Sequence, residues 1–323
     1  MAEPNTDFSD IITTTLRRRS KSLADNLSNN TALLFRLKQR GKVRTFPGGR
    51  TIVEEIAYQG PGNFQWYSGY DNLNITQTPM LTSAEFNVKQ AAVAISLSGL
   101  EMLQNAGPDA VIDLMAARIE QGEREMTNNL STGIYSNGTG SSGKQIGGLQ
   151  LLVSDDGTGT VGGIAAGTYT WWKNQFYDFS VQSVTPSSTT IQNAMNTLYL
   201  ACSRNRDRPD LIVADNTYYT YYWASLQANQ RFTNARLAEA GFDNLKFQSA
   251  DVIFDGGQDG AAPASHMYFL NSEYIFFRPH QDRNMVPLNP DRYATNQDAV
   301  VKLIGFAGNM TTSNRALQGA IVA

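Results

Sequence analysis

Few residues in this chain have types and spacing suited to chemistry. There are two histidines, His266 and His280, and one cysteine, Cys202. A covalent mechanism needs a hydroxyl or thiol beside a base that a third group orients. His266 opens a β-rich run and His280 follows Pro279, and neither lies in a cluster of Ser, Cys and acids. Cys202 continues the helical spacing Ile191, Met195, Leu198. That position suits a small core residue rather than a nucleophile. A lone cysteine also excludes an intrachain disulfide and suits a reducing cytoplasm.

Two glycine-rich stretches resemble ligand loops. Gly157-Thr-Gly-Thr-Val-Gly162 has the spacing of a dinucleotide loop, which requires a strand before it and a helix after it. The residues that follow, Gly163-Ile-Ala-Ala-Gly167, do not start a helix, so a surface loop is expected. Asp255-Gly-Gly-Gln-Asp-Gly260 carries oxygen ligands but lacks the further spaced ligands of a calcium site. A turn between strands is expected there. No metal, cofactor or catalytic residue is predicted.

Two other features suit contact rather than catalysis. The first is a basic run, Arg17, Arg18, Arg19 and Lys21. Residues 1–50 hold ten Lys or Arg against four acids, a charge of +6 in a chain of net −3, which leaves −9 on the remainder. A basic leading segment on an acidic body should meet an anionic partner, either nucleic acid or the body of a neighbouring copy. The second is the aromatic run Phe64, Trp66, Tyr67 and Tyr70. Such rings could stack on bases, but they suit a protein interface better.

These residues must be held by a substantial fold. The 323 residues are 41% hydrophobic and 17% charged, which fits a folded chain with a sizeable core. Met1–Asp10 lacks the features of a secretory signal, and no run is long and apolar enough for a membrane span. Residues 8–28 have the spacing of an amphipathic helix. Residues 51–58 and 84–96 alternate as strands, with Gly60-Pro-Gly62 and the aromatic tip between them. This long hairpin has little sequence around it to cover its faces. Ser98–Asn105 reads as a short helix. Pro108 with Asp109 opens a long one, with Ile112, Met115, Ile119, Met126 and Leu130 as an apolar stripe that includes the core residues of that helix. A strand is expected within 144–153, a helix over 189–203, a strand over 210–214 and a Tyr-rich helix over 216–228. Strands are also expected over 251–255, 266–271 and 274–278. This alternation predicts an α/β body with a mixed sheet. Strand-like segments at 299–306 and 317–322 should return to pack on the long helix.

The order of these parts resembles the tailed-phage major capsid proteins of the Hong Kong ninety-seven fold. So do the phrases Ser98-Gly-Leu-Glu101, Trp171-Trp172 and Arg208-Pro-Asp-Leu-Ile-Val213, with Asn271-Ser-Glu-Tyr274, Phe277-Arg-Pro-His280 and Gly308-Asn-Met-Thr-Thr-Ser-Asn-Arg-Ala-Leu-Gln318. The resemblance runs from about residue 40 to the end and contains no catalytic signature. It implies an α+β fold with a basic N-terminal arm (1–45) and an extended E-loop hairpin (46–96). A P-domain with a long spine helix (97–140) and an α/β A-domain with a mixed sheet (141–295) follow. Terminal strands (296–323) then return to the P-domain.

The function implied is that of a non-enzymatic shell subunit. It would assemble with itself in hexamers and pentamers around double-stranded DNA, in the host bacterial cytoplasm, and reside in the virion capsid. A portal and a separate scaffolding protein are implied partners, since the arm is short and starts at Met1, and a decoration protein is left open. Between Phe46 and Gln90 the single lysine is Lys89, so E-loop crosslinking is not expected. Arg17, Arg18, Arg19 and Lys21 would face a neighbour, scaffold or DNA, and Phe64, Trp66, Tyr67 and Tyr70 a neighbour. An encapsulin-type nanocompartment and an enzyme with an unrecognised site remain the alternatives.

Overall fold

The computed structural model describes residues 31–76, 78–104, 108–226, 244–255, 262–293 and 299–323. The helix expected over 8–28, with its basic run, lies outside them. The first described helix, α1 (Ala32–Gln39), buries Ala32, Leu33, Leu34 and Leu37. The chain then crosses to a hairpin of β1 (Thr51–Ala57) and β2 (Leu81–Asn87), antiparallel from Thr51↔Asn87 to Ala57↔Leu81.

The return leg of this hairpin differs from the single strand expected over 84–96. After Val88 the chain enters a separate strand, β3 (Lys89–Ser98), which belongs to another sheet. Helix α2 (Gly99–Gln104) follows. Its entry is a capping box: the Ser98 N–H donates to the Glu101 carboxylate and the Glu101 N–H donates to the Ser98 hydroxyl, both at 3.2 Å. The Ser98 backbone bond is the main reason the Glu101 carboxyl titrates below its ordinary value; Arg118 adds to it.

Helix α3 (Pro108–Ile134) is the longest element, and it lies against β3. Ile119, Met126 and Leu130 are buried, as the stripe predicts. The side chains of Ile112 and Met115 lie outside the described residues. At Gly122 a Cβ would stand 3.0 Å from Ile95 Cγ1, so glycine permits the close approach of helix and strand.

Two sheets make up the body. One contains β3, β11 (Ile275–Pro279), β12 (Val286–Tyr293) and β13 (Ala299–Thr312). The 14-residue β13 pairs with β3 along one edge and with β12 and β11 along the other. The other sheet has six strands. They are β6 (Gln175–Asp178), β7 (Leu211–Ala214), β8 (Asn244–Phe247), β9 (Ala250–Phe254), β10 (His266–Leu270) and β14 (Gly319–Val322), in the order β6-β14-β10-β7-β9-β8. It is mixed: β14–β6 and β7–β9 are parallel. Helices α4 (Ile191–Ala201) and α5 (Asn216–Ser225) pack beside it. Asp215 caps α5 by accepting from the Tyr218 N–H at 2.9 Å.

Several expectations are corrected. Residues 144–153 hold no strand; Leu149–Leu152 forms one helical turn instead. Isolated apolar runs do not distinguish a buried turn from a strand. Strand β11 leaves the α/β body for the other sheet, because the chain turns at Asn271–Tyr274 under Asp210. Both Asp210 carboxylate oxygens accept at 2.7 Å from Ser272, one from its N–H and one from its hydroxyl. Strand β14 does not return to the long helix. It is hydrogen-bonded between β6 and β10, because an all-apolar strand buried on both faces suits a sheet interior.

Candidate inter-subunit surface

The hairpin base is built into the subunit. Along β1 the inward positions are Ile52, Glu54 and Ile56, and along β2 they are Ala84 and Phe86. Period-two geometry makes Glu54 share the buried face of its apolar neighbours. Its carboxylate is met by Arg278 of β11, at 2.8 Å from Nε and 2.6 Å from Nη2, and by the Thr311 hydroxyl at 2.8 Å. Arg278 also lies over the Phe276 ring, 5.0 Å from its centroid. Charge and hydrogen bond are both satisfied, as a buried carboxylate requires.

The glycine-rich segment 157–163 supports the same base. Strands β4 (Thr160–Val161) and β5 (Ile164–Ala165) form a small hairpin. Its two turn residues, Gly162 and Gly163, have φ of 61° and 78°, the positive values a tight two-residue turn needs. Gly162 presses on β2: a Cβ would come 2.6 Å from the Ala84 Cβ, and its carbonyl accepts from the Glu85 N–H at 2.9 Å. The surface loop expected here is therefore a fixed prop. In the Trp171-Trp172 pair, Trp172 is buried and donates from Nε1 to the Val161 carbonyl at 3.0 Å. Trp171 stacks on Tyr58 with ring centroids 5.2 Å apart. An open cleft of about 450 Å³ runs between β2, Trp171 and Tyr169.

Beyond Tyr58 the hairpin projects. Its tip has few internal ties, among them Gln59 Nε2 to the Pro79 carbonyl, Gln65 Nε2 to the Asn72 carbonyl and the Ser68 N–H to Asp71, at 2.8, 2.9 and 2.8 Å. Phe64 and Trp66 meet edge to face at 5.5 Å yet are 79% and 91% exposed. Tyr67, Tyr70, Leu73 and Ile75 are exposed as well. The four aromatic residues expected at an interface thus share one projecting segment that no other described residue covers. Residues 51–88 contain four acids and no Lys or Arg.

Part of the basic leading segment meets its own body. Arg36 pairs with Asp210 and Asp251 at 3.2 and 3.4 Å, Arg40 with Asp210 at 3.1 Å, and Lys42 with Glu273 at 2.8 Å. The Val43 backbone bridges to Phe277 within β11 and the Phe46 backbone to His280 just past its end. Arg17, Arg18, Arg19 and Lys21 lie outside the described residues.

The residues with catalytic potential are placed structurally. Cys202 is fully buried, and burial pushes its thiol pKa up. The His266 ring lies 3.1 Å from Asp155 and 2.7 Å from the Ala264 carbonyl. Burial opposes its protonation, but these two bonds outweigh it and its pKa is raised. The His280 ring packs edge-on against Phe46 and accepts from the Asp282 N–H at 3.0 Å. Asp255 accepts from the Tyr135 hydroxyl, and burial raises its pKa. Residues 256–260 lie outside the described residues. Among the described residues no group of three His, Cys, Asp or Glu is placed to hold a metal, and no helix is long and apolar enough to cross a membrane.

A mixed six-stranded sheet, a second sheet against one long helix and a separate two-stranded hairpin together form the fold of solved phage capsid structures. A chain of the cyanophage A-1(L) capsid asymmetric unit shares it with a TM-score of 0.65 at 14% identity, over 88% of this chain and 92% of that one. The Mycobacterium phage Bobi structure matches with a TM-score of 0.56 at 13% identity, over 88% and 89%. The capsid of the native GTA particle matches at 0.56 and 12%, over the same shares. At these identities the likeness is one of fold. No family model and no curated protein matches the chain in sequence.

Proposed function

We propose that this chain is the major capsid protein of a tailed phage, a shell subunit with no catalytic role. The observation that carries this reading is the hairpin of the capsid fold: its base is locked by Glu54, Arg278 and Gly162, while its tip offers Phe64, Trp66, Tyr67 and Tyr70 to solvent. A rigid arm with an uncovered aromatic end suits contact with an identical neighbour, since an exposed apolar patch is otherwise an aggregation hazard. Head-to-tail contacts of this kind close into rings where the rotation between copies returns to the first. Such rings would be the hexamers and pentamers of an icosahedral shell around double-stranded DNA.

In this reading residues 1–45 are the arm, 46–96 the E-loop with its flanking strands and 97–140 the spine-helix region. Residues 141–295 supply the A-domain. Of the terminal strands, β13 serves the spine-helix sheet and β14 the A-domain sheet. A portal and a scaffolding protein complete the assembly, which takes place in the bacterial cytoplasm and ends in the virion. Electron microscopy of the purified protein at high concentration tests the reading. Closed icosahedral particles are expected; a dispersed monomer under all assembly conditions, or turnover of a substrate, would overturn it.

A further inference from the structure

The loop between α4 and β7, Ser203-Arg-Asn-Arg-Asp-Arg-Pro209, carries three arginines in seven residues. Paired backbone bonds between Arg204 and Asp207, at 2.8 and 2.9 Å, hold it in a tight turn with Asn205 at φ 54°. It borders an open cleft of about 510 Å³, whose other walls are Arg40, Asp210, Ser249, Asn271 and Glu273. The acids of this cleft are already committed. Asp210 takes Arg36, Arg40 and Ser272, and Glu273 takes Lys42. Asp207 takes the Tyr274 hydroxyl at 3.0 Å and Arg204 at 3.9 Å. Arg206 and Arg208 are exposed and, among the described residues, have no acid within ion-pair distance. A body that is acidic beyond residue 50 thus keeps two guanidinium groups uncompensated in one place.

The lining of the cleft indicates what fills it. Every wall residue except Pro209 is charged or polar, and none is aromatic or aliphatic. The core of a protein interface is apolar and enriched in aromatic residues, and this cleft offers nothing of that kind. Phosphate groups are instead met by Arg together with Ser and Asn side chains and backbone N–H groups, and a guanidinium can grip two phosphate oxygens at once. The neighbouring structure points the same way. Arg36, Arg40 and Lys42 of the basic leading segment meet Asp210 and Glu273 at the foot of this loop, so the loop adds its charge where that segment crosses the body. We propose that the Arg206–Arg208 cleft holds backbone phosphates of nucleic acid, without reading its sequence. In the shell, this end of the six-stranded sheet then faces the enclosed duplex. The inference rests on the shell reading above and names the surface of the subunit that meets the DNA.

The test measures binding of the purified full chain to two short DNA duplexes of unrelated sequence, by fluorescence anisotropy over a range of salt. The parent should bind both alike, with affinity falling as salt rises. Arg206→Gln with Arg208→Gln should lower the slope of log affinity against log salt by about 2, since each phosphate contact contributes roughly 0.9. Arg124→Gln, at an exposed arginine already paired with Glu120, should leave the slope unchanged. Arg206→Lys with Arg208→Lys keeps both charges and should restore the slope, which a fault in folding would not explain. A parental slope in the Gln variant would overturn the proposal, as would a lost slope that the Lys variant does not restore. Reduced particle yield with unchanged DNA binding would also overturn it, and would assign the arginines to a contact between copies. A parent that forms particles but binds neither duplex would remove the cleft alone. A parent that binds DNA through these arginines but never forms particles would support the cleft and remove the shell reading.

Discussion

Glu54 lies on the core face of β1 between Ile52 and Ile56, and its charge is held by Arg278 and Thr311. Breaking a buried pair by removing one partner leaves the other desolvated, at roughly 3–5 kcal/mol. Glu54→Ala should therefore lower the denaturation midpoint strongly, while Glu55→Ala, exposed on the opposite face, should leave it unchanged. Adding Arg278→Ala to Glu54→Ala should cost less than the two single losses combined. The His266–Asp155 pair makes a pH-dependent contribution. Because the folded-state pKa of His266 is raised, its stabilisation is fully present below the ordinary histidine value of about 6.5 and is lost as pH rises through the folded value. Asp155 is half exposed, so the effect should not exceed about 1 kcal/mol. Asp155→Asn should lower the melting temperature at pH near 6 and have little effect at pH near 9; equal effects at both would show that the pair does not act through the charged ring.

At the scale of elements, the long helix and the hairpin contrast. Helix α3 docks on β3 through Ile119, Met126 and Leu130, with Gly122 admitting Ile95. Ile119→Ala opens a cavity in a region already tightly packed and should cost about 2–5 kcal/mol. Solubility or cooperative melting of the free subunit should fall before any assembly defect is seen. The hairpin is divided. Ile52, Ile56, Ala84 and Phe86 belong to the main core, whereas residues 59–76 and 78–80 project from it without helix or strand. Mutations at the base should therefore unfold the subunit, and mutations at the tip should spare it.

For the whole molecule, that division separates folding from assembly. Trp66→Ala with Tyr67→Ala removes two exposed rings, so circular dichroism and melting should stay near parental. A truncated interface hot spot costs about 2 kcal/mol or more, repeated at every contact of a shell. The variant should give few or no closed particles by electron microscopy; parental shells would exclude an interface role for these rings. The charge asymmetry acts at the same scale. Arg36, Arg40 and Lys42 are neutralised by Asp210, Asp251 and Glu273 of their own body. The run Arg17, Arg18, Arg19 and Lys21 is left as the part of the arm proposed to reach a partner. Replacing all four with Gln should reduce assembly, and raised salt should reproduce the loss, since screening acts over about 8 Å at physiological strength. Unchanged yield and salt dependence would remove that role.

Local physics made much of this architecture legible in the sequence. Pro108 with Asp109 marks the start of the long helix, a 3.6-residue stripe places Ile119 and Met126 in its core, and alternation marks β1. The cluster Phe64, Trp66, Tyr67 and Tyr70 stands out as surface because no apolar periodicity surrounds it. Composition also excluded a disulfide framework. What sequence could not decide depends on distant partners. Period two puts Glu54 on the apolar face of β1, but the counterion that lets it stay there, Arg278, comes from 224 positions away. The glycines at 162–163 read as a loose loop until Ala84 is placed against them. Val88 shows no sign that it ends one sheet's strand before the next begins, and the Asn271–Tyr274 turn sends β11 to the second sheet only because Asp210 holds Ser272. Period and propensity are carried by neighbours in sequence, so they fix elements. Sheet membership, buried charge pairing and the line between covered base and bare tip are set by contacts between residues far apart in the chain, which exist only in the folded subunit.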